Sequence, residues 1–140
     1  MIINNQDFSL YDGTNFLTKA LIRKAPVLFF GPKRSGKTAI AAVIAKDLLI
    51  EHKIPTVVLP ATSITNAGHL ENEVDDASQH HYILMIDDAE AIDQLIIDLL
   101  LKQIAGVSVR ILVIINQAEQ SAYKAVIDKF KKARFILVEF

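Results

Sequence analysis

The sequence contains no cysteine. This excludes a disulfide framework and any thiolate metal site, and it makes the reducing cytoplasm the expected compartment. Long apolar runs are missing too. Although 51% of the 140 residues are hydrophobic, none of the runs approaches the ~20 residues that a membrane-spanning helix needs. The opening Met1-Ile2-Ile3-Asn4-Asn5-Gln6-Asp7 has neither the basic start nor the apolar centre of a secretory signal. Neither sign of charge is in excess: the formal net charge is −1, and no stretch is basic enough to indicate direct nucleic-acid binding. Internal repeats, linkers and low-complexity segments are also absent from the sequence. A chain of this length suits one domain with a real core. Its apolar content fits either a well-buried α/β core or a face kept for a partner.

What is present centres on Gly31-Pro32-Lys33-Arg34-Ser35-Gly36-Lys37-Thr38. The stretch fits G-x-x-x-x-G-K-[ST], the phosphate-binding loop known as Walker A. The first glycine lets the chain turn at a strand end, and the amides that follow curl into a nest of N–H donors around a phosphate. Lys37 then sets a cation against the β- and γ-phosphates, and the Thr38 hydroxyl is a ligand for Mg²⁺. A helix begins there, so its positive end also faces the anion. The flanks agree. Pro26-Val27-Leu28-Phe29-Phe30 is a short apolar run of the buried-strand kind, and Ile40, Val43, Ile44 and Leu48 recur at helical spacing. These features predict a nucleoside-phosphate site.

Taken in order, residues 1–12 read as irregular, and a short helix over about 14–24 follows, with Thr14 as N-cap and Phe16, Leu17, Ala20 and Leu21 as its apolar stripe. The loop helix runs to about His52, and Ile54 to Leu59 is a strand closed by Pro60. Residues 61–79 read as a loop and a short helix whose acidic cluster, Glu71, Glu73, Asp75 and Asp76, is a solvated face. His81 to Ile86 is a strand ending in Asp87-Asp88. A helix over 89–105 then carries Ile92, Leu95, Ile96, Leu99, Leu100 and Gln103 on one stripe, with Ile97 and Leu101 off it and Gly106 ending it. That broad apolar character suits either a helix wedged in the core or a subunit contact. Val107 to Ile115 is a strand, Tyr123, Val126, Ile127 and Phe130 mark a helix, and Arg134 to Phe140 is the last strand. The regular alternation predicts a parallel sheet with helices on both faces.

In such a sheet, ligands bind at the carboxyl ends of the strands. Asp87 ends its strand and is placed to hold Mg²⁺ directly or through water. Asp88 is a candidate to orient the attacking water or accept its proton, and it is equally suited to cap the following helix. Asn116 ends the next strand, where its amide could reach the γ-phosphate or the lytic water; turn chemistry is its ordinary role. His80 and His81, as neighbours on a strand, would point to opposite faces and are set aside as metal ligands.

Gly31–Thr38, Asp87-Asp88 and Asn116 together resemble Walker A, Walker B and sensor 1 of an AAA+ ATPase core. Upstream, Asp7-Phe8-Ser9-Leu10-Tyr11-Asp12-Gly13-Thr14-Asn15, then a short helix and a strand, resembles the start of the nucleotide domain in the DnaA/Hda replication-initiator family. Asp-Asp instead of Asp-Glu fits that branch. The resemblance covers residues 6–140. It implies a three-layer P-loop NTPase fold with a five-stranded parallel sheet in the order 5-1-4-3-2, ATP or ADP with Mg²⁺, and self-association or a protein partner. Arg134 matches the Arg-Phe that opens the family's last strand near its trans-acting arginine finger. Its ordinary role, with Lys129, Lys131 and Lys132, is to complement a helix dipole. The family's helical lid with sensor 2, and its DNA-binding module, have no counterpart up to Phe140, so the expectation is one lidless domain over residues 1–140. Gln6-Asp7-Phe8-Ser9-Leu10 is a poor version of the sliding-clamp motif of Hda-like proteins.

The functional expectation is an ATP/ADP-binding module with slow or partner-dependent hydrolysis, acting as a regulator or assembly factor in DNA replication. A small-molecule or nucleotide kinase would need a second substrate pocket and usually an arginine-rich lid, and the sequence offers neither. A GTPase would carry D-x-x-G and N-K-x-D where this chain has Asp87-Asp88-Ala89-Glu90 and Asn116-Gln117-Ala118-Glu119. A nucleotide-bound scaffold that never turns over is the non-enzymatic alternative.

Overall fold

Alternation of apolar residues along each strand decides the architecture. In the computed structural model, which describes residues 2–4, 10–117 and 123–140, Val27 and Phe29 face one side of the sheet while Leu28 and Phe30 face the other. All four are fully buried, as expected of a strand covered on both faces. The elements in chain order are β1 (Ile2–Asn4), α1 (Leu10–Ile22), β2 (Val27–Phe30), α2 (Lys37–His52), β3 (Thr56–Pro60), α3 (Ala67–His80), β4 (Ile83–Asp87), α4 (Gln94–Gly106), β5 (Arg110–Ile115), α5 (Lys124–Lys132) and β6 (Ile136–Glu139). Leu17 and Leu21 of α1 and Ala41, Ile44 and Leu48 of α2 pack on one face of the sheet. The other face is covered by α3, α4 and α5 through Leu70, Val74, Ile97, Leu100, Val126, Ile127 and Phe130. No helix among the described residues is long and apolar enough to cross a membrane.

The sheet has six strands in the order β1-β6-β2-β5-β4-β3, every pair parallel. The five-stranded expectation is therefore corrected. Its order is retained from β6 to β3, and a sixth strand is added outside β6, where Ile2 pairs with Leu137 and Asn4 with Glu139. Three residues are too few for a periodic signal, which is why this segment reads as irregular.

Other boundaries move for identifiable reasons. Helix α1 starts at Leu10, so Thr14 lies inside it, 5% exposed, and is not its N-cap; Asp12-Gly13 is helical, not a turn. Phe16, expected on the buried stripe, is 44% exposed. The segment after β3 holds a 3₁₀ turn and then fourteen residues of helix, capped by the Asn66 side chain accepting the His69 N–H at 2.9 Å. His80 ends that helix and His81 follows it in a left-handed conformation, so neither belongs to β4. Asp88 opens a 3₁₀ turn over Ala89–Ala91 without a side-chain cap, and the true cap of α4 is Asp93, whose carboxylate accepts the Leu95 N–H at 2.8 Å.

That late start rotates the helix relative to the sequence expectation. Ile97, predicted to lie off the stripe, is 1% exposed, whereas Leu95 and Leu99 are 73% and 52% exposed. Truncation distinguishes the two phases. Ile97→Ala should cost about 2–5 kcal/mol in urea unfolding, and Leu95→Ala should stay within about 0.5 kcal/mol of the parent. Equal losses would contradict the observed rotation.

Candidate functional site

The loop between β2 and α2 is shaped by two backbone requirements. Gly31 has φ near +149°, and a Cβ there would lie 2.6 Å from the Phe140 carbonyl oxygen, so both conformation and space demand glycine. Arg34 and Gly36 also take positive φ, at 62° and 97°, folding the chain back on itself ahead of the helix. Inside the fold lies Lys37, only 3% exposed. Its ammonium donates to the Gly31 carbonyl at 3.0 Å, to the Pro32 carbonyl, and to the Ser35 hydroxyl at 3.0 Å. Burial lowers its pKa, and the carboxylates of Glu90, Asp87 and Asp88, in that order of influence, pull it back up. Thr38 is the second residue of α2, where main-chain N–H groups have no partner inside the helix and face outward for an anion.

The strand ends bring the acidic and amide groups to this loop. The Gly31 N–H donates to the Ile115 carbonyl at 3.2 Å, tying the start of the loop to the end of β5. One residue later, Asn116 lines a hollow of about 230 Å³ together with Arg34, Gly36, Lys37, Thr38 and Ala39. Its side-chain amide donates to the Asp88 carboxylate at 2.6 Å, and its main-chain N–H donates to the Glu90 carboxylate at 2.9 Å. Asp87 accepts the Asp88 N–H at 2.9 Å. Burial raises the Asp87 pKa, the neighbouring Asp88 adds to this, and Glu90 contributes too; the Asp88 N–H and the Lys37 charge act against them.

Thr38 and Asp87 together line a second, larger hollow of about 530 Å³, which continues past Lys46 and Leu49 along α2 and over Val58 and Met85 of the sheet. A hydroxyl and a carboxylate are hard oxygen donors of the kind Mg²⁺ takes, so these two residues fit the metal that accompanies a nucleoside polyphosphate. Lys37 and the loop amides fit the phosphates. Bound in this way, Mg²⁺ would neutralise charge on the phosphoryl oxygens during transfer.

Seven of the eight loop residues and the three strand-end residues Asp87, Asp88 and Asn116 thus carry a hydrogen bond, a lining position or a backbone turn at one end of the sheet. Lys33, the eighth, is exposed on the loop. Arg134 stands elsewhere. It is exposed, with φ 66°, in the turn ahead of β6, where its N–H donates to the Lys131 carbonyl at 3.1 Å. Because Ile136 pairs with Val27 and Glu139 with Phe30, that turn lies at the amino end of the strands and the phosphate loop at their carboxyl end. Glu90 is the site residue that motif reading missed. The only trace of it is the acid two positions beyond Asp88, which carries no motif meaning by itself.

The sequence profile of the ATPase family associated with various cellular activities (AAA) matches residues 27–137. The chain belongs to the AAA family. Over 67 residues, 48% of this chain, it is 33% identical to the "ATP-dependent Clp protease ATP-binding subunit ClpX" of Borrelia duttonii and equally to that of Borrelia recurrentis. The match spans 15% of each of those relatives. Among solved structures, C. elegans PCH-2 superposes with a TM-score of 0.60 at 18% identity, over 92% of this chain and 40% of the other. A chain of the E. coli MS115-1 HORMA:CdnC:Trip13 complex gives 0.63 at 14% identity, over 93% and 62%. At these identities the two structures speak for the AAA fold alone.

Two outcomes follow from the site. An alanine at Gly31 would meet both the Phe140 carbonyl and an unfavourable φ, so Gly31→Ala should lower stability by about 1–3 kcal/mol in chemical unfolding. For Asp87 the sign is reversed. Its folded pKa lies above the ordinary value of 3.8, so between those two values the folded state binds more protons than the unfolded state, and stability falls as pH rises through that window. At pH 7 the ionised carboxylate is a cost to the fold. Asp87→Asn keeps an acceptor for the Asp88 N–H and removes the charge. It should stabilise the nucleotide-free protein by about 0.5–2 kcal/mol at pH 7, by less towards pH 4, and weaken Mg²⁺-dependent nucleotide binding. Unfolding curves at both pH values, with and without Mg²⁺ and nucleotide, measure all three effects.

Proposed function

We propose that this AAA chain is a nucleotide-responsive assembly module: it takes ATP or ADP with Mg²⁺, hydrolyses ATP slowly by itself, and is accelerated by a protein partner or a second copy. The observation that carries this reading is the position of Thr38, which lines one hollow with Asp87 and another with Lys37 and Asn116, so that metal and phosphate donors converge on one residue. Roles follow from the geometry. Gly31 to Thr38 bind the phosphates, Thr38 and Asp87 hold Mg²⁺, and Asp88 orients or deprotonates water once the Asn116 amide is drawn towards the γ-phosphate.

Slow turnover follows from where Arg134 lies. At the far end of the strands from the phosphate loop it supplies no cation to its own chain's site, and on this reading an arginine finger would have to come from a neighbouring molecule. Arginine fingers are worth roughly 10³–10⁵ in rate in P-loop enzymes. The finer replication reading, a DnaA/Hda-like regulator, rests on the Asp87-Asp88 pair and on residues 7–15, the latter part of which lies in α1. Residues 5–9, including most of the clamp-like Gln6-Asp7-Phe8-Ser9-Leu10, lie outside the described residues. A protein is proposed as the partner by analogy with the solved Trip13 chain, which sits in a HORMA:CdnC:Trip13 complex. Residues 1–140 are read as one such domain, at work in the cytoplasm.

The test is calorimetric titration of Mg²⁺-ATP and Mg²⁺-ADP into the parent and Lys37→Ala, with light-scattering mass before and after. A charge-assisted contact of about 1.5–3 kcal/mol predicts a loss of about 10- to 100-fold in affinity for Lys37→Ala. Mass is expected to rise with ATP and not with ADP. Binding without any mass change would favour a passive nucleotide-bound scaffold, and absence of binding would overturn the reading.

A further inference from the structure

Glu90 takes part in no motif, yet it occupies the centre of the hydrogen-bond network around the strand ends. It sits in the 3₁₀ turn Ala89–Ala91, which is closed by the Ala91 N–H donating to the Asp88 carbonyl at 3.0 Å. Asp88 enters that turn in a left-handed conformation, φ 56°, which reverses the chain after β4 and swings Glu90 back towards β5. Its carboxylate then accepts the main-chain N–H of Asn116 at 2.9 Å. Asn116 is the first residue past β5, so no strand partner fixes its position. With the main-chain N–H held by Glu90, the side chain reaches the Asp88 carboxylate at 2.6 Å while lining the phosphate hollow. A continuous path results, from Gly31 through Ile115, Asn116 and Glu90 back to the turn that carries Asp88. Glu90 is also the strongest carboxylate influence on the Lys37 ammonium, ahead of Asp87 and Asp88.

We propose that Glu90 is the positioning residue of this site: by accepting the Asn116 main-chain N–H, it fixes where the Asn116 amide falls between the Asp88 carboxylate and the phosphate hollow. The role rests on the ATPase reading for its consequence in turnover, and on the hydrogen bonds alone for its structural half. Charge-assisted acceptors of this kind hold a backbone group more firmly than a neutral carbonyl does. Loss of the acceptor frees the end of β5 and lets the amide leave Asp88. Replacing the carboxylate by an amide keeps an accepting oxygen and much of the geometry.

Two readouts separate the halves. The first needs no nucleotide: the backbone N–H and side-chain NH₂ signals of Asn116 in ¹H–¹⁵N spectra of the parent, Glu90→Gln and Glu90→Ala. Both sets of Asn116 signals are expected to shift, and the backbone N–H to lose hydrogen-exchange protection at least ~10-fold, in Glu90→Ala and much less in Glu90→Gln. Unmoved Asn116 signals in Glu90→Ala would overturn the proposal, whatever the protein does with ATP. The second readout is single-turnover hydrolysis at saturating Mg²⁺-ATP. Groups that orient a reacting-site residue typically cost about 10- to 100-fold on removal, so the rate should fall by that factor in Glu90→Ala, with ADP affinity within about twofold and most of the rate restored in Glu90→Gln. Against an Asn116→Ala background the further loss should vanish, because the amide it positions is gone. An undiminished loss in that background would mean that Glu90 acts otherwise, and would overturn the proposal. If the parent binds no nucleotide, the ATPase reading fails while the spectra still decide the role of Glu90.

Discussion

A single buried ammonium holds the functional end of this fold together. Lys37 has almost no contact with solvent, and its three donors are taken by two loop carbonyls and a loop hydroxyl. Burial of an unpaired cation would be prohibitive, so the loop can close only in a shape that points oxygens inward at Lys37. That shape is why Gly31, Arg34 and Gly36 leave the ordinary backbone regions. Once the Pro32 carbonyl faces inward, the Lys33 N–H of the same peptide is left facing outward; the Gly31 carbonyl belongs to a peptide with Pro32, which has no N–H to offer. The phosphate-binding surface is thus the reverse side of a cage around a lysine.

The cage stands in an acidic neighbourhood. Glu90, Asp87 and Asp88 all act electrostatically on the buried Lys37 ammonium, Glu90 the most. This excess of negative charge disfavours a bare polyphosphate and favours one that arrives with a divalent metal, because the metal offsets both the phosphate and the carboxylates. Burial raises the Asp87 pKa, and the neighbouring Asp88 and Glu90 carboxylates add to it.

Much of this could be read from the residues in order. The phosphate loop is legible because its chemistry demands particular residues at fixed spacing, and the placement of Asp87 and Asn116 follows from the parallel sheet that the alternating pattern implies. Strands β2 to β6 are legible because each is an apolar run, even β3, which lies at the sheet edge and is largely exposed. What escaped was set by tertiary contact. Strand β1 exists because β6 offers it an unpaired edge, and three residues carry no period of their own. The phase of α4 departs from the sequence expectation because the helix is capped by Asp93 and not by the earlier Asp88, which the sequence offers as its cap. Glu90 escaped because a hydrogen bond across twenty-six positions leaves no local pattern.

The linkage of Gly31 to the end of the sheet also sets an order of events in synthesis. The loop is braced by the Ile115 carbonyl and packed against Phe140, and its flanking strand β2 lies between β5 and β6. These supports are encoded well after the loop itself, Ile115 84 positions and Phe140 109 positions beyond Gly31. At a ribosomal pace of roughly 5–20 residues per second, the nascent chain carries its phosphate loop for about 5–20 seconds before the neighbours that shape it exist. On the reading proposed above, affinity for nucleotide is expected only after β5 and β6 have been made. Nucleotide present during synthesis would find no shaped loop to hold until β5 and β6 had joined β2.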